Sequence, residues 1–517
     1  MVFRDGNHIR IKFWKGAAPL TPLPFYGALP MRAQWCSLSA VLFQEFLQIR
    51  NLLERKKEYH KDIENMKKTL ITILAAVPAL ICAGACTDFL YEGEVDLTPK
   101  EEEEEFVYPT TYEFNHPCAF VSQTEIDRVK AAVEAADPND PVYVSWQQLC
   151  SNQFAQSTYT ASPVETLVRG DATGTGVSEE NYINACRDAA AAFQLGLRYL
   201  ISGDTDCANA AVKILNDWAD FCKQITANDN NQYLLAGFQG YQFANAAELL
   251  RDFDGWAEQD QNDFRNWLLT VWYEKNKWFM DTHGGDGVCN LHYWSNWELA
   301  NMASILAIGI YTENPEMVTY VYRQFREGEG SGALHNMIPY DPVEDPSGNT
   351  ALIAQCMESG RDQGHATLVS SMCAELCQMA WNVGIDFWGM EDNLVLAMFE
   401  YTAMYNSVPY PSVSMPFTTY EYCPDGCGCN SGHGAVHTEV SAEGRGTERP
   451  CWDLIYNHYK SRGVNDGSLY YSKQFAEQLR YTDGTLTGDG GAGVSRYGSN
   501  SSAYDQIGWG TLLFYQE

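Results

Sequence analysis

From residue 125 to about residue 459, apolar positions recur at helical spacing in segments separated by short polar breaks. The pattern predicts helices over 125–136, 179–202, 205–225, 238–253, 259–280, 296–312, 315–327, 364–383, 386–406 and 446–460. In 364–383, Leu368, Val369, Met372, Cys373, Leu376, Met379 and Ala380 form one stripe, and Gly384 follows where a left-handed C-terminal cap is expected. Segment 296–312 differs: Leu299, Ala300, Met302, Ala303, Ile305, Leu306, Ala307 and Ile308 leave almost no polar face, which predicts burial all round, while Ser295 and Glu298 offer a capping box.

Strand-like alternation is nearly absent before the C-terminal tail. Helices apolar on every side, alternating with amphipathic ones through short loops, predict an all-α fold: an incomplete α/α toroid of antiparallel helical hairpins. No fixed sequence period recurs, which argues against a solenoid. The Gly-rich tail from Tyr481, ending in 507–514, predicts turns and one or two short strands closing over the ring.

Charge divides the chain. Residues 1–65 hold ten Lys and Arg against six Asp and Glu, a net of +4, whereas the whole chain carries −33. At Met66-Lys67-Lys68 a basic start leads into the apolar run 69–85 and then Cys86. This reads as a secretory signal whose apolar core is shorter than the roughly 20 residues that span a bilayer. Ala83-Gly84-Ala85-Cys86 resembles a bacterial lipobox, making Cys86 the expected lipidation site and predicting an exported outer-membrane lipoprotein, periplasmic or at the cell surface. Residues 1–65 are then expected to lie outside the mature protein, 87–109 to form a solvated acidic tether around Glu101 to Glu105, and 110–517 to fold as the functional domain. Acids just after such a cysteine resemble a surface-export signal of Bacteroidetes.

An acid excess of 67 to 34 excludes a general nucleic-acid binder and any membrane contact other than through a lipid anchor. A polyanionic substrate would need locally positive subsites. Cys423, Cys427, Cys429, His433 and His437 have residue types that suit zinc, but their spacing fits no familiar zinc pattern and four glycines intervene, so a Gly-rich loop with one or two disulfides is expected instead.

The segment Glu358-Ser359-Gly360-Arg361-Asp362-Gln363-Gly364-His365 carries the densest chemistry. On a helical path Glu358, Arg361 and His365 would share one face, and a guanidinium with an imidazole suits an acidic sugar. The competing reading is an ion-pair network bracing helix 364–383. A second cluster, His292, Tyr293, Trp294, Asn296 and Trp297, offers rings that stack on sugars, or else an aromatic cap on the core.

Gly240-Tyr241-Gln242-Phe243-Ala244-Asn245-Ala246-Ala247-Glu248, Ser295-Asn296-Trp297-Glu298, the 358–365 motif, Trp381-Asn382-Val383-Gly384-Ile385-Asp386, Pro416-Phe417-Thr418-Thr419-Tyr420 and Tyr504-Asp505-Gln506-Ile507-Gly508-Trp509-Gly510-Thr511 occur in this order. Together they resemble the alginate-lyase-type polysaccharide lyases with an α/α toroid, particularly a Bacteroidetes branch acting on alginate or glucuronan. The resemblance covers about residues 110–517. It implies β-elimination of a uronic acid polymer, alginate rich in mannuronate or glucuronan, with no metal or cofactor. Asn296 and Arg361 would neutralise the C6 carboxylate, Glu358 would orient them or His365, Tyr420 would protonate O4, and Tyr420 or His365 would remove the C5 proton. Tyr241, Gln242, His292, Trp294, Trp297 and Arg449 are expected to bind the substrate.

Two departures matter. The Asn-His doublet of some alginate lyases is Asn296-Trp297 here, and Tyr422 lies close enough to Tyr420 to exchange roles with it. As a base, Tyr420 would need the Arg361 charge to lower its pKa. Alternatives are a toroidal glycoside hydrolase, with Asp362, Asp386 and Glu375 as available acids, and a non-catalytic glycan-binding lipoprotein.

Overall fold

The computed structural model describes residues 106–285, 289–423 and 435–517, together with the backbone of three short strands near the N-terminus. Contacts divide the chain into one unit over Met1–Phe106 and a second over Val107–Glu517. In the first, β1 (Val2–Asp5) pairs antiparallel with β2 (His8–Ile11), and β2 with β3 (Val95–Asp96). The signal segment 66–86 with Cys86, and the acidic run 101–105, lie outside the described residues.

The second unit is all-α. Its helices are α1 (Gln123–Ala135), α2 (Pro141–Ser151), α3 (Ile183–Ser202), α4 (Thr205–Phe221), α5 (Asn231–Leu249), α6 (Glu258–Trp267), α7 (Glu274–Thr282), α8 (Ser295–Tyr311), α9 (Pro315–Glu327), α10 (Leu334–Met337), α11 (Gln363–Asn382), α12 (Met390–Asn406), α13 (Trp452–Ser461), α14 (Tyr470–Arg480) and α15 (Gly510–Phe514). Four small ladders accompany them: β4 (Thr166–Val168) parallel to β5 (Gln224–Thr226), and the antiparallel pairs β6 (Val343–Glu344) with β7 (Leu352–Ile353), β8 (Tyr420–Glu421) with β9 (Val436–His437), and β10 (Tyr481–Thr482) with β11 (Thr485–Leu486). Among the described residues no helix is long and apolar enough to cross a membrane.

The inner helices α3, α5, α8 and α11 are buried along most of their length, as the segment 296–312 predicted. Their partners α4 and α9 bury only one stripe, Cys207, Ala208, Ala211, Leu215 and Trp218 in the first and Met317, Val318, Val321 and Phe325 in the second. The register shows that the inner helices run parallel. A Cβ on Gly237 would meet Ala300 Cβ at 2.8 Å and one on Gly240 would meet Ser304, so α5 and α8 advance together in close contact. The Tyr241 hydroxyl reaches Glu375 at 2.8 Å and Asn245 Nδ2 reaches Met379 Sδ at 3.4 Å, so α5 and α11 do the same. This is the incomplete α/α toroid, and parallel inner helices place the starts of α5, α8 and α11 at one mouth.

Several expectations shift. α5 begins at Asn231 and not at 238, because a helix buried on all sides has no polar face to mark its start. α2 and α14 were not predicted, although Asp140 capping Val142 N with Pro141 in the first turn is a start signal for α2. Ser295 and Glu298 do not form the capping box: Trp294 is the N-cap, Ser295 Oγ donates to Glu358 and Glu298 pairs with His283. The tail supplies its short strands as β10 and β11, but its last apolar run is the helix α15.

Candidate active site

At the mouth the chain approaches α11 through a turn over 357–361, and Asp362, extended, caps the helix by accepting from the His365 amide at 2.9 Å. Glu358, Arg361 and His365 therefore do not share one helical face. Glu358 and Arg361 sit on the turn, with Arg361 N donating to Glu358 O at 3.0 Å, while His365 stands in the first turn of α11.

Glu358 is fully buried and its charge is met by four donors: Ser295 Oγ at 3.0 Å, Asn296 N at 3.0 Å, Asn296 Nδ2 at 2.9 Å and Arg361 Nη1 at 2.9 Å. A buried carboxylate is tolerable only when so satisfied. The ion-pair network expected as the competing reading is thus present, and it leaves Arg361 partly open, its side chain 27% exposed and its guanidinium 4.9 Å over the Trp294 ring. Asn296 is buried and its amide nitrogen bridges both Glu358 oxygens, so it holds Glu358 and is not turned to a substrate carboxylate.

His365 Nδ1 lies 2.6 Å from Asp362 Oδ2, and the same oxygen is 3.7 Å from Arg361 Nε. Burial works to raise the Asp362 pKa, but hydrogen bonds from the His365 side chain and backbone, with the Arg361 charge beside it, outweigh burial and hold the carboxyl below the usual range.

The wall facing this turn is the β8–β9 ladder, in which Tyr420 pairs with His437. Cross-strand partners project to one face. His437 packs on the turn: a Cβ added to Gly360 would meet His437 Cβ at 2.5 Å and Phe417 Cζ at 2.9 Å. Burial lowers the His437 pKa, the Arg361 charge adds to this, and a hydrogen bond with the Gly360 backbone opposes it. Its Nε2 is buried without a partner. Sequence reasoning grouped His437 with the cysteine cluster and missed it here. The available signal was a strand pattern on each side of a Gly-rich loop. Of the rest of that cluster, Cys423 is buried, and Cys427, Cys429 and His433 lie outside the described residues.

Tyr420 and Tyr422 are separated by their partners. The Tyr422 hydroxyl donates to the His292 carbonyl, and its ring stacks on Trp294 with centroids 4.0 Å apart. Burial raises the Tyr420 pKa, with further upward contributions from Tyr340, Glu358 and Tyr422. The phenol is thus held more tightly protonated than a free tyrosine, the direction that favours an acid.

Of the residues expected to bind substrate, Trp294 and His292 line this wall, and burial lowers the His292 pKa. Trp297 is half-buried, tilted on Tyr293 at 4.6 Å and stacked on Phe279 at 5.9 Å. Tyr241 and Gln242 stand in the core instead: the Tyr241 hydroxyl joins Glu375 to the Asp505 carbonyl, and Gln242 Nε2 donates to the Tyr504 carbonyl at 2.6 Å. Arg449 is also buried, holding Asp505 at 3.1 Å and the Gly364 carbonyl at 3.2 Å, which ties the tail to the start of α11. The hydrolase acids do not converge. Glu375 is in the core, Asp386 is clasped by Arg462 at 2.7 Å beyond the far end of α11, and only Asp362 is at the mouth.

Over part of its length this α/α toroid is similar to a family of polysaccharide lyases. Residues 135–335 match the alginate lyase family model, a stretch that includes Trp294 and Asn296 and stops short of Glu358. Among solved structures, alginate lyase A1-III from Sphingomonas species A1 is similar at 13% identity, covering 78% of this chain and 97% of that one with a TM-score of 0.43. A variant of alginate lyase A1-III complexed with tetrasaccharide is similar at 12% identity, covering 77% and 95% with a TM-score of 0.44. At these values the likeness assigns no residue a role. A comparison with curated proteins found no match.

Proposed function

We propose that this chain cleaves a uronic acid polymer by β-elimination, with His437 as base, Tyr420 as acid and Arg361 as the group that neutralises the C6 carboxylate. The observation that carries this reading is the Tyr420–His437 cross-strand pair set against the turn that presents Arg361. Neutral imidazole Nε2 takes the C5 proton, the C4–O4 bond breaks as a C4–C5 double bond forms, and the phenol of Tyr420 protonates the departing O4. Arg361 makes the carbanion accessible by binding the carboxylate, and Glu358 holds Arg361 in place. Trp294 and Tyr422 give the sugar an apolar wall.

Acid and base on one face of the ladder favour removal of both groups from one face of the sugar. Mannuronate and glucuronate meet that requirement, whereas guluronate inverts C5. Incubation with polymannuronate, polyguluronate and glucuronan, following ultraviolet absorbance of the unsaturated product, tests the reading. Product from either of the first and third is expected; new reducing ends without that absorbance would establish hydrolysis instead. The same reading includes export through a lipid on Cys86, which rests on the sequence around that residue and is tested by metabolic labelling with palmitate.

A further inference from the structure

The loop 441–446 runs along the turn that carries the site. Ser441 N donates to Ser359 O at 3.0 Å, and Gln363 N to Glu443 O at 2.7 Å. Gly446 N donates to Asn406 Oδ1 at 2.9 Å, and Asn406 Nδ2 to Gln363 Oε1 at 2.8 Å, so the end of α12 locks this loop to the start of α11. Arg445 is held there between two tyrosines, its guanidinium 4.0 Å from the Tyr405 ring centroid and 4.1 Å from that of Tyr410. Its Nε donates to the Tyr405 carbonyl at 2.8 Å. Among the described residues no carboxylate pairs with it, in a chain with 67 acids for 34 bases. Tyr410 is 45% exposed.

In so acidic a protein, a guanidinium that has no acidic partner among the described residues is suited to act as a local positive subsite. Arg445 is half-buried with only the Nε of its side chain in a hydrogen bond among the described residues, and the exposed Tyr410 beside it offers a ring to a sugar. We propose that Arg445 and Tyr410 form a distal subsite that binds a uronate unit other than the one that reacts, and so set the preference for long chains. The inference rests on the uronan reading above. Arg361 and Arg445 then mark two carboxylate positions on adjoining segments, 359–364 and 441–446, whose backbones are hydrogen-bonded to each other.

The test compares Arg445→Gln and Tyr410→Ala with the parent on polymannuronate or glucuronan and on the corresponding trisaccharide. On polymer, KM is expected to rise about tenfold in Arg445→Gln, the scale of one charge-assisted hydrogen bond, with kcat changed much less. The advantage of polymer over trisaccharide should shrink in both variants. An unchanged KM, or an equal loss on both substrates with a lower melting temperature, would overturn the subsite and leave Arg445 as a pin for the loop. If the parent makes no unsaturated product from any uronan, the lyase reading fails separately. Migration through gels with and without polymannuronate then decides binding: retardation lost in Arg445→Gln supports the subsite, and equal retardation of parent and variant overturns it.

Discussion

Tyr420 and His437 are cross-strand partners in a ladder of two residue pairs, so a phenol and an imidazole from segments on either side of a Gly-rich loop stand on one face. Tyr420 can be tested without disturbing its ring. Tyr420→Phe should lower kcat by about 100-fold or more while KM and the melting temperature change little, because only the proton donor to O4 is removed. Near-parental kcat would rule Tyr420 out as the acid.

His437 must be neutral to act as the base, and burial with the Arg361 charge holds its pKa below 6.5. The active form therefore persists as pH falls to that lowered pKa and is lost below it. The acid limb of kcat should fall under pH 6.5, and His437→Gln should remove both that limb and most of the activity. An acid limb unchanged in the variant would point to His365.

Gly360→Ala tests the same residue indirectly. The added methyl would lie 2.5 Å from His437 Cβ, so β9 must shift. Displacement of about 1 Å can cost on the order of 100-fold in rate. A loss of kcat with a preserved melting temperature is expected; full activity would show that the position of His437 is immaterial.

Arg361→Lys retains the charge and loses the fork. Glu358 keeps Ser295 and Asn296 as donors, so the melting temperature should move by only about 2 °C, while kcat/KM falls by roughly 10-fold or more. A large fall in melting temperature with proportionate loss of activity would reduce Arg361 to a brace.

Glu375 tests the tail. Burial lifts its pKa to about 7, against three donors, the Tyr241 hydroxyl and the Ile507 and Gly508 amides, that favour the charged form. A raised folded-state pKa contributes stability that is complete below the unfolded value near 4.5 and is lost as pH rises to about 7. The melting temperature should fall across that window, and Glu375→Gln should flatten part of the slope. Glu400, also raised to about 7, keeps its own share. An unchanged slope would show that Glu375 is ionised throughout.

The sequence alone determined the helical class and most helix positions, because amphipathic stripes such as that of α9, Pro315–Glu327, follow directly from one-sided burial. It also singled out Arg361, His365, Trp294 and Tyr420, whose residue types announce their chemistry. Tertiary structure decided which of them meet. Tyr241 and Gln242 lie in motifs shared with the resembled family, yet their neighbours on α11 and the tail bury them. In the sequence His437 stood only as a neighbour of a Gly-rich, cysteine-bearing loop, and the pairing of β8 with β9 sets it opposite Tyr420. Local periodicity encodes which side of an element faces the core; it carries no record of a contact between segments distant in sequence, and the site is made of such contacts.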